Sequence, residues 1–225
     1  MFKVNDLVFK YPKNSEPTLK GLTFEIAKGE IFGFLGPSGA GKTTTQKLLV
    51  KLLPYHQGQI FFDGKELHSF NDSFYEDIGV CFEMPISFSK LTAMEPTNGL
   101  DPKNARIVKE IIREFAHDGG TVFLTSHIMS DVDELCDRVA FIAEGKLTEI
   151  DSPRNLKIKY GQRTVTLEYK ENGDVVSTTY PMDAIKNDEF AEVLKTKDIE
   201  TIHSGETTLE EIFIQVTGVK LHGED

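Results

Sequence analysis

Cysteine is scarce in this chain: it has two, Cys81 and Cys136. They stand far apart and in no metal-like spacing, so neither a zinc site nor a disulfide framework is expected. Two reduced, buried thiols of a cytosolic protein are the expectation. Long apolar runs are also missing. None approaches ~18 residues, so no segment is expected to span a membrane by itself. The start, Met1-Phe2-Lys3-Val4-Asn5-Asp6, has no apolar core of the kind a signal peptide needs. Basic charge is outnumbered, 25 Lys and Arg against 36 Asp and Glu, for a net charge of -11. That balance disfavours nonspecific nucleic-acid binding, and no nucleic-acid partner is expected. Internal repeats and low-complexity tracts are absent as well.

What is present suits one full α/β domain with a small appendage: 225 residues, of which 39% are hydrophobic. Val4 to Tyr11 and Leu19 to Ala27 alternate as strands around a polar turn. Glu30 to Leu35 is a short apolar run, typical of a strand buried on both faces. After a glycine-rich turn, Leu48, Leu49, Leu52 and Leu53 recur at helical spacing within 43–53, and Pro54 stops the helix. Gln59 to Phe62 and Asp77 to Phe82 read as strands, with a tight turn at Asp63-Gly64. Ala105 to Phe115 reads as a helix whose apolar face carries Ile107, Val108, Ile111, Ile112 and Phe115. Thr121 to Thr125 is a buried strand, and Asp131 to Cys136 is helical. Val139 to Ala143 pairs with Leu147 to Ile150 around Glu144-Gly145-Lys146. Ser152-Pro153 marks a boundary. Beyond it come a hairpin, Arg163 to Tyr169 with Val175 to Tyr180, and helical stretches at Met182 to Leu194 and Thr208 to Val216. The division expected is 1–152 and an α+β appendage at 153–225.

Gly36-Pro37-Ser38-Gly39-Ala40-Gly41-Lys42-Thr43 fits G-x-x-x-x-G-K-[ST], between an expected strand and an expected helix. Glycines let the backbone fold into a concave nest of N–H donors. The helix that follows turns its positive dipole end to the same point. Such a loop cradles the phosphates of a nucleotide. Lys42 is expected to reach the β- and γ-phosphates and the Thr43 hydroxyl to bind Mg²⁺.

The segment from Phe34 to Thr44 resembles the Walker A segment of ABC transporter ATPases. Three other stretches resemble the same family in the same order. Ile78 to Phe82 is similar to the strand entering its Q-loop, Pro96-Thr97-Asn98-Gly99-Leu100-Asp101-Pro102 to the end of Walker B and the D-loop, and Leu124-Thr125-Ser126-His127 to its H-loop. The resemblance covers about residues 1 to 152. It implies a P-loop NTPase, RecA-like core with an N-terminal antiparallel β-subdomain and a C-terminal appendage, using ATP and Mg²⁺. It implies a site in which Tyr11 stacks on adenine, the loop through Thr44 holds phosphate, and His127 senses the γ-phosphate. Asp101 would act across an ATP-sandwiched dimer. The partners implied are a second ATPase subunit, in a homodimer or a pair, and transmembrane permease subunits. Through those subunits the chain would sit on the inner face of the cell membrane.

The sequence also departs from the family. Glu83 stands where a Gln usually contacts Mg²⁺ and the attacking water; a carboxylate oxygen still suits Mg²⁺, but its charge should weaken ATP binding. No LSGGQ-like signature occurs, and Phe88 to Glu95 runs directly into Pro96, with no apolar Walker B strand and Met94 in place of its Asp. Glu95 is either the general-base Glu or part of the segment after the Q-loop. Several dozen residues are expected to be missing near here. Two functions stay open: an ATPase subunit energising a membrane exporter, or a catalytically impaired nucleotide-binding module from an internally deleted ABC ATPase. A GTPase would carry N-K-x-D, which is not found.

Overall fold

A computed structural model describes residues 1–55, 57–76, 78–79, 102–126, 128–171 and 173–220. The expected strand from Asp77 to Phe82 falls almost wholly outside them. The chain divides into two compact units, Met1–Pro153 with the stretch from Phe213, and Arg154–Ile212.

The first unit holds two sheets. One is antiparallel, built from β1 (Phe2–Phe9), β2 (Leu19–Ile26), β4 (Gln57–Phe62) and β5 (Lys65–Glu66) in the order β2-β1-β4-β5. The Asp63-Gly64 turn between β4 and β5 takes left-handed φ values of 47° and 78°, the mirror-type turn that suits a two-residue hairpin. The other sheet contains β3 (Ile31–Leu35), β6 (Val122–Ser126), β7 (Arg138–Ala143) and β8 (Lys146–Asp151) in the order β6-β3-β7-β8. β3 is parallel to both neighbours, and β8 folds back on β7 as a hairpin. All five residues of β3 are buried, as a strand covered on both faces requires. Phe24, Phe32, Phe34 and Phe123 join the two sheets in one core. Phe34 lies 5.0 Å from the Phe24 ring and 4.9 Å from Phe123. Each such burial contributes about 1.5–3 kcal/mol. The stretch from Phe213 closes this unit, with the Phe213 ring edge-on to Phe141 of β7 at 5.3 Å.

Helix α1 (Lys42–Leu49) stops four residues short of the sequence expectation. Lys51 adopts a left-handed φ of 58°, and the amides of Leu52 and Leu53 fold back to the carbonyl of Lys47. That ending turns Leu52 out to solvent. Helix α2 (Pro102–His117) is rotated relative to its apolar pattern. Ile112 is buried, whereas Ile107, Ile111 and Phe115 are 43%, 43% and 55% exposed. Lys109 lies on the inward side of α2 instead, its ammonium reaching Asp131 and Glu134 of α3 (Met129–Leu135), both at 2.6 Å.

The second unit is a three-stranded antiparallel sheet in the order β10-β9-β11, made of β9 (Arg163–Glu171), β10 (Asp174–Pro181) and β11 (Asp198–Glu206). Val165, Leu167 and Tyr169 of β9 pack against Phe190 of α5 (Asp188–Thr196). The helical stretch expected over Met182 to Leu194 is two pieces. A 3-10 turn covers Met182–Lys186, and α5 follows after Asn187, whose extended backbone (φ -92°, ψ 145°) breaks the helix. β11 and the short helix α4 (Pro153–Tyr160) were not expected from the sequence. Among the described residues no helix is long and apolar enough to cross a membrane.

Candidate nucleotide site

The site begins where β3 ends. Gly36 turns the chain with no room for a side chain, since a Cβ there would lie 2.1 Å from the Ile142 carbonyl oxygen. Ala40 N–H donates to the Pro37 carbonyl at 3.2 Å, and Gly39 and Gly41 take φ values of 80° and 112°. Those values belong to glycine and bend the backbone around a concave centre. α1 starts immediately after, with Thr45 N–H and Thr45 Oγ1 both donating to the Gly41 carbonyl at 2.9 Å. The amide end of α1 therefore opens at the loop, the arrangement that attracts anions.

Beside the loop lies a cavity of about 730 Å³. Tyr11, Gly39, Gly41, Lys42, Thr43 and Thr44 line it, so these residues of the expected site come together. Tyr11 is half-buried; its hydroxyl lies 3.3 Å from Thr44 Oγ1 and its ring meets Phe9 edge-on at 4.8 Å. Lys42 bends back over the loop, donating to the carbonyls of Gly36 at 2.6 Å and Pro37 at 3.0 Å. Within the loop, Gly36 and Ala40 are buried. Ser126, just before His127 in the chain, pairs in register with Leu35, just before Gly36. His127, Glu83, Glu95 and Asp101 themselves lie outside the described residues.

The cavity has lining residues that no motif announced: Lys13, Lys20 and the hairpin turn Glu144-Gly145. From the sequence, Glu144-Gly145 was only a hairpin turn, and nothing in its spacing tied it to the loop.

A phosphate loop between a buried parallel strand and a helix, beside an antiparallel sheet, narrows the choice of family. Residues 19–200 match the family described as ABC transporter. The chain belongs to the ABC transporter family. An ABC relative, the fluoroquinolones export ATP-binding protein of Mycobacterium tuberculosis, is 38% identical across 98% of this chain and 94% of its own length. The lantibiotic transport ATP-binding protein of Streptococcus pyogenes is 27% identical across 70% of this chain and 94% of its own. Among solved structures, an ATP-binding subunit of an ABC transporter superposes with a TM-score of 0.63, at 18% identity over 71% of this chain and 93% of that one. The cassette MJ0796, bound to ADP and Pi, gives a TM-score of 0.59, at 16% identity over 68% and 98%. The fold is thus that of the ABC ATPase cassettes, whose family is one of ATP-binding ATPases.

Proposed function

We propose that this chain is the ATP-binding and ATP-hydrolysing subunit that energises an ABC exporter. One observation carries the reading. The loop Gly36–Thr43, the start of α1 and the half-buried Tyr11 converge on one open cavity within a cassette fold. The mycobacterial relative is named for export of fluoroquinolones, which supports the direction of transport, and other relatives are named for transport of lantibiotic and bacitracin.

ATP enters with adenine on the Tyr11 ring and its phosphates against the loop amides. The Lys42 ammonium exchanges two carbonyl acceptors for phosphate oxygens. That trade is favourable, because the phosphate adds a full opposite charge to bonds that are charge-assisted only on the lysine side. Mg²⁺ would need oxygens from the nucleotide as well as from the protein here. Among the described residues no cluster of three or more His, Cys, Asp or Glu could hold a metal by itself. Thr43 lines the cavity, and its hydroxyl would supply one oxygen, with nucleotide phosphates and Glu83 supplying others. When bound, Mg²⁺ neutralises charge developing on the transferred phosphate. Asp101 and His127 act at a second subunit and at the γ-phosphate, with ATP held in a closed dimer. Transmembrane permease subunits hold the chain at the inner face of the membrane.

Turnover of this 225-residue chain alone is proposed to be slow. Its alignment with the mycobacterial relative spans 284 positions, so roughly sixty of them have no residue here. A gap of that size fits the signature and Walker B segments not found in the sequence. A titration of ATP with Mg²⁺, run beside a phosphate-release assay, tests both parts. Saturable binding with slow release is the expected result. No binding would remove the proposal, and release at the rate of an intact cassette would remove its second half.

A further inference from the structure

The β7–β8 hairpin tip touches the phosphate loop at the peptide unit joining Ala40 and Gly41. Gly145 N–H donates to the carbonyl of Ala40 at 3.1 Å, and the Gly145 carbonyl accepts from Lys20 N–H of β2 at 2.8 Å. Gly145 is thus a strap between the loop and the start of β2. Its φ is 77°, and a Cβ there would sit 2.3 Å from the Thr18 carbonyl oxygen, a backbone atom that cannot swing aside. The loop is clamped on either side of this bond too. A Cβ on Gly41 would lie 2.5 Å from Leu19 Cδ2, and one on Gly36 would lie 2.1 Å from the Ile142 carbonyl.

The consequence follows from peptide geometry. In a trans peptide unit the C=O and the next N–H point in opposite directions. Fixing the Ala40 carbonyl on Gly145 therefore aims the Gly41 N–H away from the hairpin. Gly41 lines the cavity. We infer that Gly145 is a positioning residue for nucleotide binding: it orients the Gly41 amide toward the phosphate tail, without touching the nucleotide base. The inference rests on the ATP-binding reading given above.

Gly145→Ala tests it, with Gly64→Ala as the control. Gly64 is also a hairpin glycine at positive φ (78°), but nothing lies within 4 Å of its would-be Cβ. The probes are trinitrophenyl-ATP and trinitrophenyl-AMP, titrated by fluorescence with the full chain, and thermal unfolding of each variant. Losing one aligned donor to a charged phosphate should raise the dissociation constant of the ATP probe by roughly tenfold. The AMP probe should move less than about twofold, because base stacking is unaffected, and Gly64→Ala should leave both unchanged. Unaltered ATP-probe affinity in Gly145→Ala would overturn the inference, as would an equal loss of both probes at an unchanged unfolding temperature. Failure of the wild-type chain to bind the ATP probe would remove the ATP-binding reading itself, and this inference with it. Should Gly145→Ala not fold, amide hydrogen exchange on the wild-type chain decides. Without nucleotide the Gly145 amide should be protected and the Gly41 amide not, with Gly41 becoming protected on adding ATP. A Gly145 amide exchanging as fast as an open chain would refute the strap.

Discussion

The Lys42 ammonium lies 2.6 Å from the Gly36 carbonyl oxygen, at the opposite end of the loop that Lys42 itself closes. The contact, with a second at Pro37, spans the turn like a clasp. The bond is charge-assisted on the donor side only, and because Lys42 is half-buried water can replace the carbonyl, so its loss costs the fold only about 1.5 kcal/mol. Its loss from a nucleotide complex costs a charge-assisted bond and a counter-charge. Lys42→Ala should therefore abolish measurable ATP binding, a drop of at least about a hundredfold, while unfolding temperature falls by no more than a few degrees. Lys42→Arg keeps the charge but brings a planar fork in place of a compact point charge, and should still lose about tenfold. Isothermal titration with ATP, beside a melt of each variant, reads both quantities. Unchanged affinity in Lys42→Ala would end the phosphate assignment.

Tyr11 separates ring from hydroxyl. Its ring is held edge-on by Phe9, whereas its hydroxyl reaches Thr44 only at a long 3.3 Å. Base stacking on an aromatic is worth about 1–3 kcal/mol. Tyr11→Ala should weaken ATP roughly tenfold or more, and Tyr11→Phe by less than about threefold. Competition between ATP and inorganic triphosphate is the discriminating measurement: triphosphate affinity should not change in either variant. A Tyr11→Ala protein that lost both equally would mean the ring supports the loop rather than the base.

The sequence was readable where structure is local. Gly36 to Thr43 declared itself because glycine conformation and a flanking apolar strand act within a dozen residues. The hairpins at Asp63-Gly64 and Glu144-Gly145 were visible for the same reason. The Gly145–Ala40 strap was not, since it joins backbone atoms far apart in the chain and leaves no trace in side-chain pattern. The rotation of α2 was hidden differently. Lys109 counts as polar in any periodicity, yet ion pairs draw it inward and leave Ile107 and Phe115 outside. The end of α1 escaped because leucine spacing carries on past Lys51, where the backbone had already turned left-handed. β11 has only two isoleucines, Ile199 and Ile202, and their three-residue spacing breaks the alternation a strand is read by.

Cys136 should be chemically silent. It is buried, and burial first, then the nearby Asp137 and Glu30 carboxylates, push its thiol far above the usual cysteine range. Its sulfur also fills the space over Gly33, where a Cβ would come within 2.8 Å. The thiolate is the reactive form, so alkylation by iodoacetamide at pH 8 should be at least about a hundredfold slower in the folded chain than in urea. Peptide mapping by mass spectrometry isolates this cysteine from Cys81. Rapid labelling of Cys136 in the folded protein would contradict its placement behind β3.

The ion cluster between α2 and α3 should govern stability at both ends of the pH scale. Lys109 pairs with the nearly buried Asp131 and with Glu134, and Arg113 pairs with Glu134 at 2.6 Å. Hydrogen bonds from Lys109, then Arg113, hold the Glu134 carboxyl below its usual value. For Lys109, partial burial works against the charge, but the bonds to Asp131 and Glu134 outweigh it and raise the ammonium above the usual lysine value. A carboxyl with a depressed folded value stabilises above its unfolded value, about pH 4.3, and that contribution is lost as pH falls through the folded value. An ammonium with a raised folded value stabilises below about pH 10.4, and that contribution is lost as pH rises through the folded value. The cluster is therefore fully engaged at neutral pH. Lys109→Met removes the ion pair of a buried carboxylate and should cost about 3 kcal/mol at pH 7. The same change should cost clearly less at acid pH below the depressed folded value of Glu134, where that carboxyl takes up its proton. Arg106→Ala, which breaks only the exposed pair with Glu110, should cost no more than about 0.5 kcal/mol at either pH. Urea unfolding at the two pH values measures all of these. An equal cost for Lys109→Met at both would mean that packing of the lysine stem, not its charge, holds α2 to α3.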